Sequence, residues 1–211
     1  MPTGERRAVA IAGAVGLALS ALALAAAPAV LPASYRWVAH TTSEAAGQGV
    51  PSAWLARVGF GLFAAAVVLI TLRCSGRWTR WGTALHLAFA AGMAATAVFP
   101  SRSWEAGSAF DPAIDLAHSV AATALGFAFA LGVVAVGVRI WVVARRWRML
   151  DVVAVVASIV LPLGMAAAPE AAGLLQRTMF LVAYLWYAWE ALAVRTRSRK
   201  PSRASRWEPG Q

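Results

Sequence analysis

The chain has 211 residues, of which 60% are hydrophobic and 13% charged, with a mean hydropathy of +0.65. Soluble domains carry roughly 25% charged residues, so this composition excludes an ordinary soluble enzyme and a disordered chain, and a single cysteine excludes a disulfide scaffold. The excess of 19 Lys+Arg over 9 Asp+Glu fits basic connections on one side of a bilayer better than a nucleic-acid surface.

A bilayer core about 30 Å thick takes roughly 20 apolar residues per helix, and six such runs follow in order. The first covers about 9–31 and follows Arg6 and Arg7. Its apolar run exceeds the roughly 7–15 residues of a secretory signal, so it is expected to remain as a helix. The second covers about 53–72, and the third about 82–99, bounded by Pro100. The fourth, about 113–143, is the longest. The fifth, about 152–168, contains Pro162, which should kink it, and closes at Pro169. The sixth covers about 172–194. The fold class is therefore an all-α integral membrane bundle of six transmembrane helices in one domain, 1–194. Residues 195–211, basic with Ser and Pro, are expected to form a disordered cytoplasmic tail.

Charge orients these runs. Fifteen basic residues lie before the first run, in the second connection, around the end of the fourth run and in the tail, against two, Arg36 and Arg102, in the alternate loops. Both termini are then expected to be cytoplasmic, in a bacterial-type plasma membrane. Trp37, Trp54, Trp78, Trp81, Trp104, Trp141 and Trp147 fall near run ends, as interfacial anchors do. Gly13, Gly16, Gly59, Gly61, Gly126, Gly132 and Gly137 lie within runs, where small residues let helices approach. Cys74 stands at a boundary and is read as an inert thiol.

Several chemistries are missing. The three histidines, His40, His86 and His118, form no HExxH pair, and there is no GxxxxGK[ST] loop, no GxGxxG after a strand and no GxSxG elbow. No metal site and no cofactor are expected.

The polar segments have a distinctive order. SYRWVAHTTSEAAGQGVPSAW fills the first long loop, AVFPSRS closes the third run, DLAHSVAA opens the fourth and GLLQRTMFLVAYLW opens the sixth. From about residue 8 to 195 the chain resembles the bacterial six-helix membrane family catalogued as domain of unknown function 998. Thr42, Ser43 and Glu44, Phe99 and Pro100, His118, and Gly173 with Arg177 stand at the family's recurrent positions. Gln176 departs from it, since members often carry an acid there. The resemblance implies architecture and the location of a site, and no reaction.

Ionisable groups inside a bilayer face the bundle interior, pair, or line water. Asp111, Asp115 and His118 fall within roughly a 60° arc of one helix at about 100° per residue. Glu170, Arg177 and Tyr184 recur every seven residues, with Tyr187 beside that stripe. Arg57, His118 and Arg177 lie at one depth from the same face, roughly 6–8 Å in. A polar pocket roofed by residues 42–51 is therefore expected. In it Arg57, Arg177 and Ser43 hold the polar head of a lipid-like or isoprenoid-like amphiphile, and Tyr184 and Trp186 line the apolar part. If a reaction occurs, Asp115, His118 and Glu44 are the candidate proton carriers, for a metal-free hydrolase or an acid–base cyclase or isomerase. The bland alternative is a closed ion-pair network, for instance Asp115 with Arg177 and Glu44 with Arg57. Two rivals remain open: a small proton-coupled transporter using Asp115, His118 and Glu190, and a structural or regulatory subunit without chemistry. Membrane lipids and an amphiphilic small molecule are the expected partners, and nucleic acid is not. His86 and Glu190 form a weaker second set, expected at the interface, pairing with each other or with Arg73.

Overall fold

The computed structural model describes residues 3–193. Among them there are seven α-helices and no strand. They are α1 (Thr3–Ala26), α2 (Thr42–Ala45), α3 (Trp54–Cys74), α4 (Arg80–Val98), α5 (Pro112–Ala144), α6 (Met149–Ala167) and α7 (Ala172–Leu192). A 3-10 turn, Ala27–Val30, extends α1, and another, Pro169–Ala171, leads into α7. The residues expected to form the tail, 195–211, lie outside the described residues.

Local chemistry sets the helix ends. Thr79 caps α4 by accepting the Gly82 N–H at 2.9 Å. Asp111 caps α5 through the N–H groups of Ala113 and Ile114, with Pro112 in the first turn, where a missing N–H costs nothing. Arg145 ends α5 in the left-handed conformation, φ 52°. Pro162 lies inside α6, and the helix continues through it.

Neighbours in sequence are neighbours in space: α1 packs on α3, α3 on α4, α4 on α5, α5 on α6 and α6 on α7, and α1 meets α7 to close the ring. The α1–α3 seam is tight because glycine lines it. A Cβ on Gly13 would lie 2.8 Å from Ile70, and one on Gly59 2.5 Å from Leu24. Gly61 and Gly126 instead face open space. Phe60, Phe63, Phe89, Phe129, Trp186 and Tyr187 fill the interior, while Leu22, Leu116, Phe127, Ile159, Leu163 and Leu185 are exposed around the outside. An apolar rim around an aromatic core is the pattern of a bundle solvated by lipid.

Five helical segments are long and apolar enough to cross a membrane: Arg7–Val30, Trp54–Cys74, Arg80–Val98, Pro112–Ala144 and Met149–Ala167. Together they mark a multi-pass membrane protein. The sixth expected run, α7, falls outside that set, because Gln176, Arg177 and its ring of Tyr and Trp lower its hydropathy. The α1–α3, α4–α5 and α6–α7 connections share one end of the bundle, called here the lid face. The start of α1, the end of α7 and the α3–α4 and α5–α6 connections share the other, the terminal face.

Candidate functional site

Residues 31–53, the lid, cross the end of the bundle between α1 and α3. A loop lacks the ladder partners of regular structure, so its buried backbone groups need donors and acceptors from elsewhere. The side chains singled out in the sequence supply them. The Arg177 guanidinium donates to the carbonyls of Trp37, His40 and Gly173, and to the Tyr35 hydroxyl at 2.6 Å. Arg57 donates to the carbonyls of Ala46 and Gly47, both at 2.9 Å. The N–H groups of Gly173 and Leu174, which open α7, donate to the carbonyls of Ala39 and Val38 at 3.1 and 2.9 Å, so the lid satisfies a helix end that would otherwise be orphaned.

Glu44 completes a capping box on α2. Its carboxylate accepts the Thr41 N–H at 2.6 Å, while Thr41 Oγ1 accepts the Glu44 N–H at 3.1 Å. Gln176 Oε1 accepts the N–H of Thr42 at 2.7 Å, and Nε2 donates to Ser43 Oγ at 3.3 Å. An acid at position 176 would also accept that N–H.

The loop from Phe99 to Asp111 is held in the same way. Asp115 Oδ1 accepts the Arg102 N–H at 2.8 Å. His118 Nδ1 lies 2.7 Å from the Phe99 carbonyl; a carbonyl only accepts, so Nδ1 carries the proton in this arrangement. Its Nε2 is buried without a partner at hydrogen-bond geometry. Gln48 joins lid and loop, donating to the Pro100 and Asp111 carbonyls and accepting the Asp111 N–H.

Ser43, Glu44, Arg57, Asp115, His118 and Arg177 thus share the lid face, but none bonds to another of the set: the Ser43 hydroxyl meets Gln176 of α7, and the others hold loop backbone or a loop side chain. The pairs Asp115–Arg177 and Glu44–Arg57 do not form; the ion pairs among the described residues lie at the terminal face. Tyr184 lies deeper. Ser20 gives its one hydroxyl proton to the Gly59 carbonyl at 2.6 Å, so the Tyr184 hydroxyl, 2.6 Å away, is the donor to Ser20. The Tyr184 ring stacks on Phe63 at 4.3 Å. Trp186 is near the terminal face, its indole N–H on Asp151 at 2.8 Å, and does not join Tyr184 in one lining. Glu170 lies exposed in the Pro169–Ala171 turn.

Between lid and loop is a cavity of about 260 Å³ lined by Glu44, Arg102, Ser103, Trp104, Glu105, Ala106, Gly107, Ser108 and Phe110. Ser108 donates to the Glu105 carbonyl and Ser103 donates to Ser108, at 3.0 and 2.8 Å, which fixes one wall. Trp104 stacks with His40 at 5.6 Å and meets the edge of Tyr35 at 4.9 Å. Burial pushes the Tyr35 hydroxyl above its ordinary pKa against the pull of Arg177, and burial lowers His40 against the pull of Glu44, so both stay neutral near pH 7. A second depression, of about 390 Å³, lies on α5 against Ser119, Val120, Thr123 and Ala124. Of residues 102–110 the sequence reading names Arg102 as a loop cation, Ser103 in the AVFPSRS segment and Trp104 as an anchor, and gives none a place in the site, because a short polar loop carries no periodicity.

The terminal face corrects the sequence reading. His86 and Glu190, expected at the interface, are buried, at 0% and 2% exposure. Glu190 pairs with Arg77 at 3.1 Å and with Arg148, rather than with His86 or Arg73. Arg148 also grips Asp151 through two nitrogens, at 2.7 and 2.6 Å. Burial pulls Arg148 down, but Asp151 and Glu190 together hold it above its ordinary range. Trp78, expected as an anchor, is buried and donates to Glu190 at 3.0 Å. His86 Nδ1 meets the Tyr187 hydroxyl at 2.8 Å, with the ring stacked on Trp186 at 4.7 Å. Asp151 and Arg148 were legible only as an i,i+3 pair at a helix start. Among the described residues no cluster of three His, Cys, Asp or Glu could hold a metal ion.

Residues 6–193 match the family described as Protein of unknown function (DUF998), and the chain belongs to that family. No curated protein and no solved structure matches it.

Proposed function

We propose that this chain binds a membrane amphiphile at its lid face, the polar head in the cavity between lid and loop and the chain along α5. The observation that carries this is the succession of a polar cavity in the loop that precedes α5 and an open depression on α5 itself. A polar cavity of about 260 Å³ adjoins the start of α5, and a groove of about 390 Å³ against Ser119, Val120, Thr123 and Ala124 lies farther along it. From Pro112, at the edge of the cavity, to Ser119 is roughly 10 Å at 1.5 Å per residue, the scale of a head-to-chain step in a lipid. Ser119, Val120, Thr123 and Ala124 are not walled by any other helix, so a chain could slide in from the bilayer.

On this reading Arg57, Arg177, Glu44, Ser43, Asp115 and His118 are positioning residues: they hold the lid and loop whose walls form the cavity. The reading also takes α7 as a sixth span and the terminal face as cytoplasmic, in a bacterial-type plasma membrane. Its 21 residues reach roughly 31 Å at 1.5 Å per residue, enough for the hydrocarbon core.

The test is mass spectrometry of lipids retained in nanodiscs drawn directly from the native membrane, comparing wild type with Ala124→Trp, which fills the α5 groove from an exposed position. A discrete amphiphile enriched in wild type and depleted in the variant is the expected result. Identical bulk-lipid profiles in both would overturn the proposal.

A further inference from the structure

Arg57 and Arg177, read from the sequence as holding an anionic or polar head group, would favour an anion, because arginine forks suit phosphate and carboxylate. The geometry removes that reason. Arg177 is bound to three carbonyls and a hydroxyl, and Arg57 to two carbonyls. Neither lines the cavity, whose charged lining is Glu44, Glu105 and Arg102. Two carboxylates against one guanidinium give the site a net negative charge, which favours a cation.

Resting on the amphiphile reading, we infer that the cavity recognises a primary ammonium group carried beside a phosphate, as in an aminophospholipid head. The ammonium needs three acceptors. Glu105 is exposed, and its one bond within the described side chains is a long 3.3 Å contact from Ser34. Glu44 offers its second oxygen, since Oε2 takes both contacts from Thr41. Ser103 and Ser108 direct their protons away, to Ser108 and to the Glu105 carbonyl, and accept from the Glu105 N–H and from Ser103 respectively, which leaves one lone pair on each for a donor. The exposed Arg102 is the lining cation left for the phosphate. A quaternary ammonium, with no N–H to give, would leave these acceptors unmatched.

The test is native mass spectrometry of the full chain in nanodiscs doped in turn with phosphatidylethanolamine, phosphatidylcholine and phosphatidylglycerol, with soluble phosphoethanolamine as a fourth arm. Retention of phosphatidylethanolamine over the other two by about tenfold is expected, as for a charge-assisted contact. Glu105→Gln should remove the preference and Glu105→Asp should restore part of it; the residue is on an exposed loop, and unchanged thermal unfolding of both variants shows that the fold is intact. Equal retention of all three lipids, lost in Ala124→Trp, would overturn the ammonium inference and leave amphiphile binding standing. Phosphoethanolamine binding as tightly as the lipid would uphold the ammonium chemistry and overturn the amphiphile reading. No retention of any probe would overturn both.

Discussion

At the scale of single residues, Gly173 shows how closely the lid and α7 are fitted. A Cβ there would lie 2.3 Å from the His40 carbonyl, 2.5 Å from the Trp37 carbonyl and 2.8 Å from Arg177. Two of those three atoms belong to backbone that Arg177 also holds, so neither can yield without breaking the clamp. Gly173→Ala should therefore destabilise the protein by about 2 kcal/mol or more and expose residues 37–48 to protease. Gly61→Ala, where nothing lies within 4 Å, should be neutral or stabilising by up to about 1 kcal/mol, since alanine favours helix. Thermal unfolding in detergent with limited proteolysis compares the two; equal behaviour would mean that the lid is not pinned through Gly173. In the sequence, Gly173 and Arg177 were visible as a motif, but their partners were not. The atoms they serve are loop carbonyls about 140 residues earlier, as in the Trp37–Arg177 bond, and carbonyls leave no trace in side-chain patterning.

At the scale of elements, α7 is the helix whose bounds hydropathy places well, 172–194 against Ala172–Leu192, and whose contacts the sequence shows least. Its Gln, Arg, Tyr, Trp and Glu residues weaken the apolar signal that marks the other spans, yet they are what tie it to its neighbours. Arg177 and Gln176 join it to the lid, Tyr184 to α1 through Ser20, Trp186 to α6 through Asp151, and Glu190 to the α3–α4 and α5–α6 connections. The helices whose contacts are apolar could be bounded within a few residues from hydropathy alone. Those contacts need only a continuous run, whereas polar docking needs the partner's identity. Glu190 is the tie that carries charge, and removing its charge leaves Arg77 without an ion-pair partner and Arg148 with Asp151 alone. Glu190→Gln should cost about 3 kcal/mol, toward the lower end for breaking a buried pair because Arg77 is partly exposed. Arg80→Gln, at an exposed position on the same face, should cost less than about 0.5 kcal/mol. Calorimetric unfolding in detergent measures both, and equal midpoints would show that the network contributes nothing beyond its neighbours.

At the scale of the whole molecule, the number of crossings and their direction depend on α7, and the chain carries its own reporter background. Cys74 is its single cysteine and is buried at 0% exposure, so the unmodified chain should stay silent to a membrane-impermeant maleimide. Ala106→Cys reports the lid face, and Gly76→Cys, where a Cβ meets nothing within 4 Å, reports the terminal face. In intact cells Ala106→Cys should label and Gly76→Cys should label only after lysis, because the excess arginine of the terminal connections favours the cytoplasmic side. Ser205→Cys, in the tail, then decides α7. If it behaves like Gly76→Cys, α7 crosses and the bundle has six spans. If it labels like Ala106→Cys, the tail has stayed on the lid side and α7 does not cross. That second outcome conflicts with the contacts of α7, which run from Gly173 at the lid to Glu190 beside Arg77 and Arg148. A helix bonded to opposite ends of the same bundle traverses it, and for that reason six spans is the expected result.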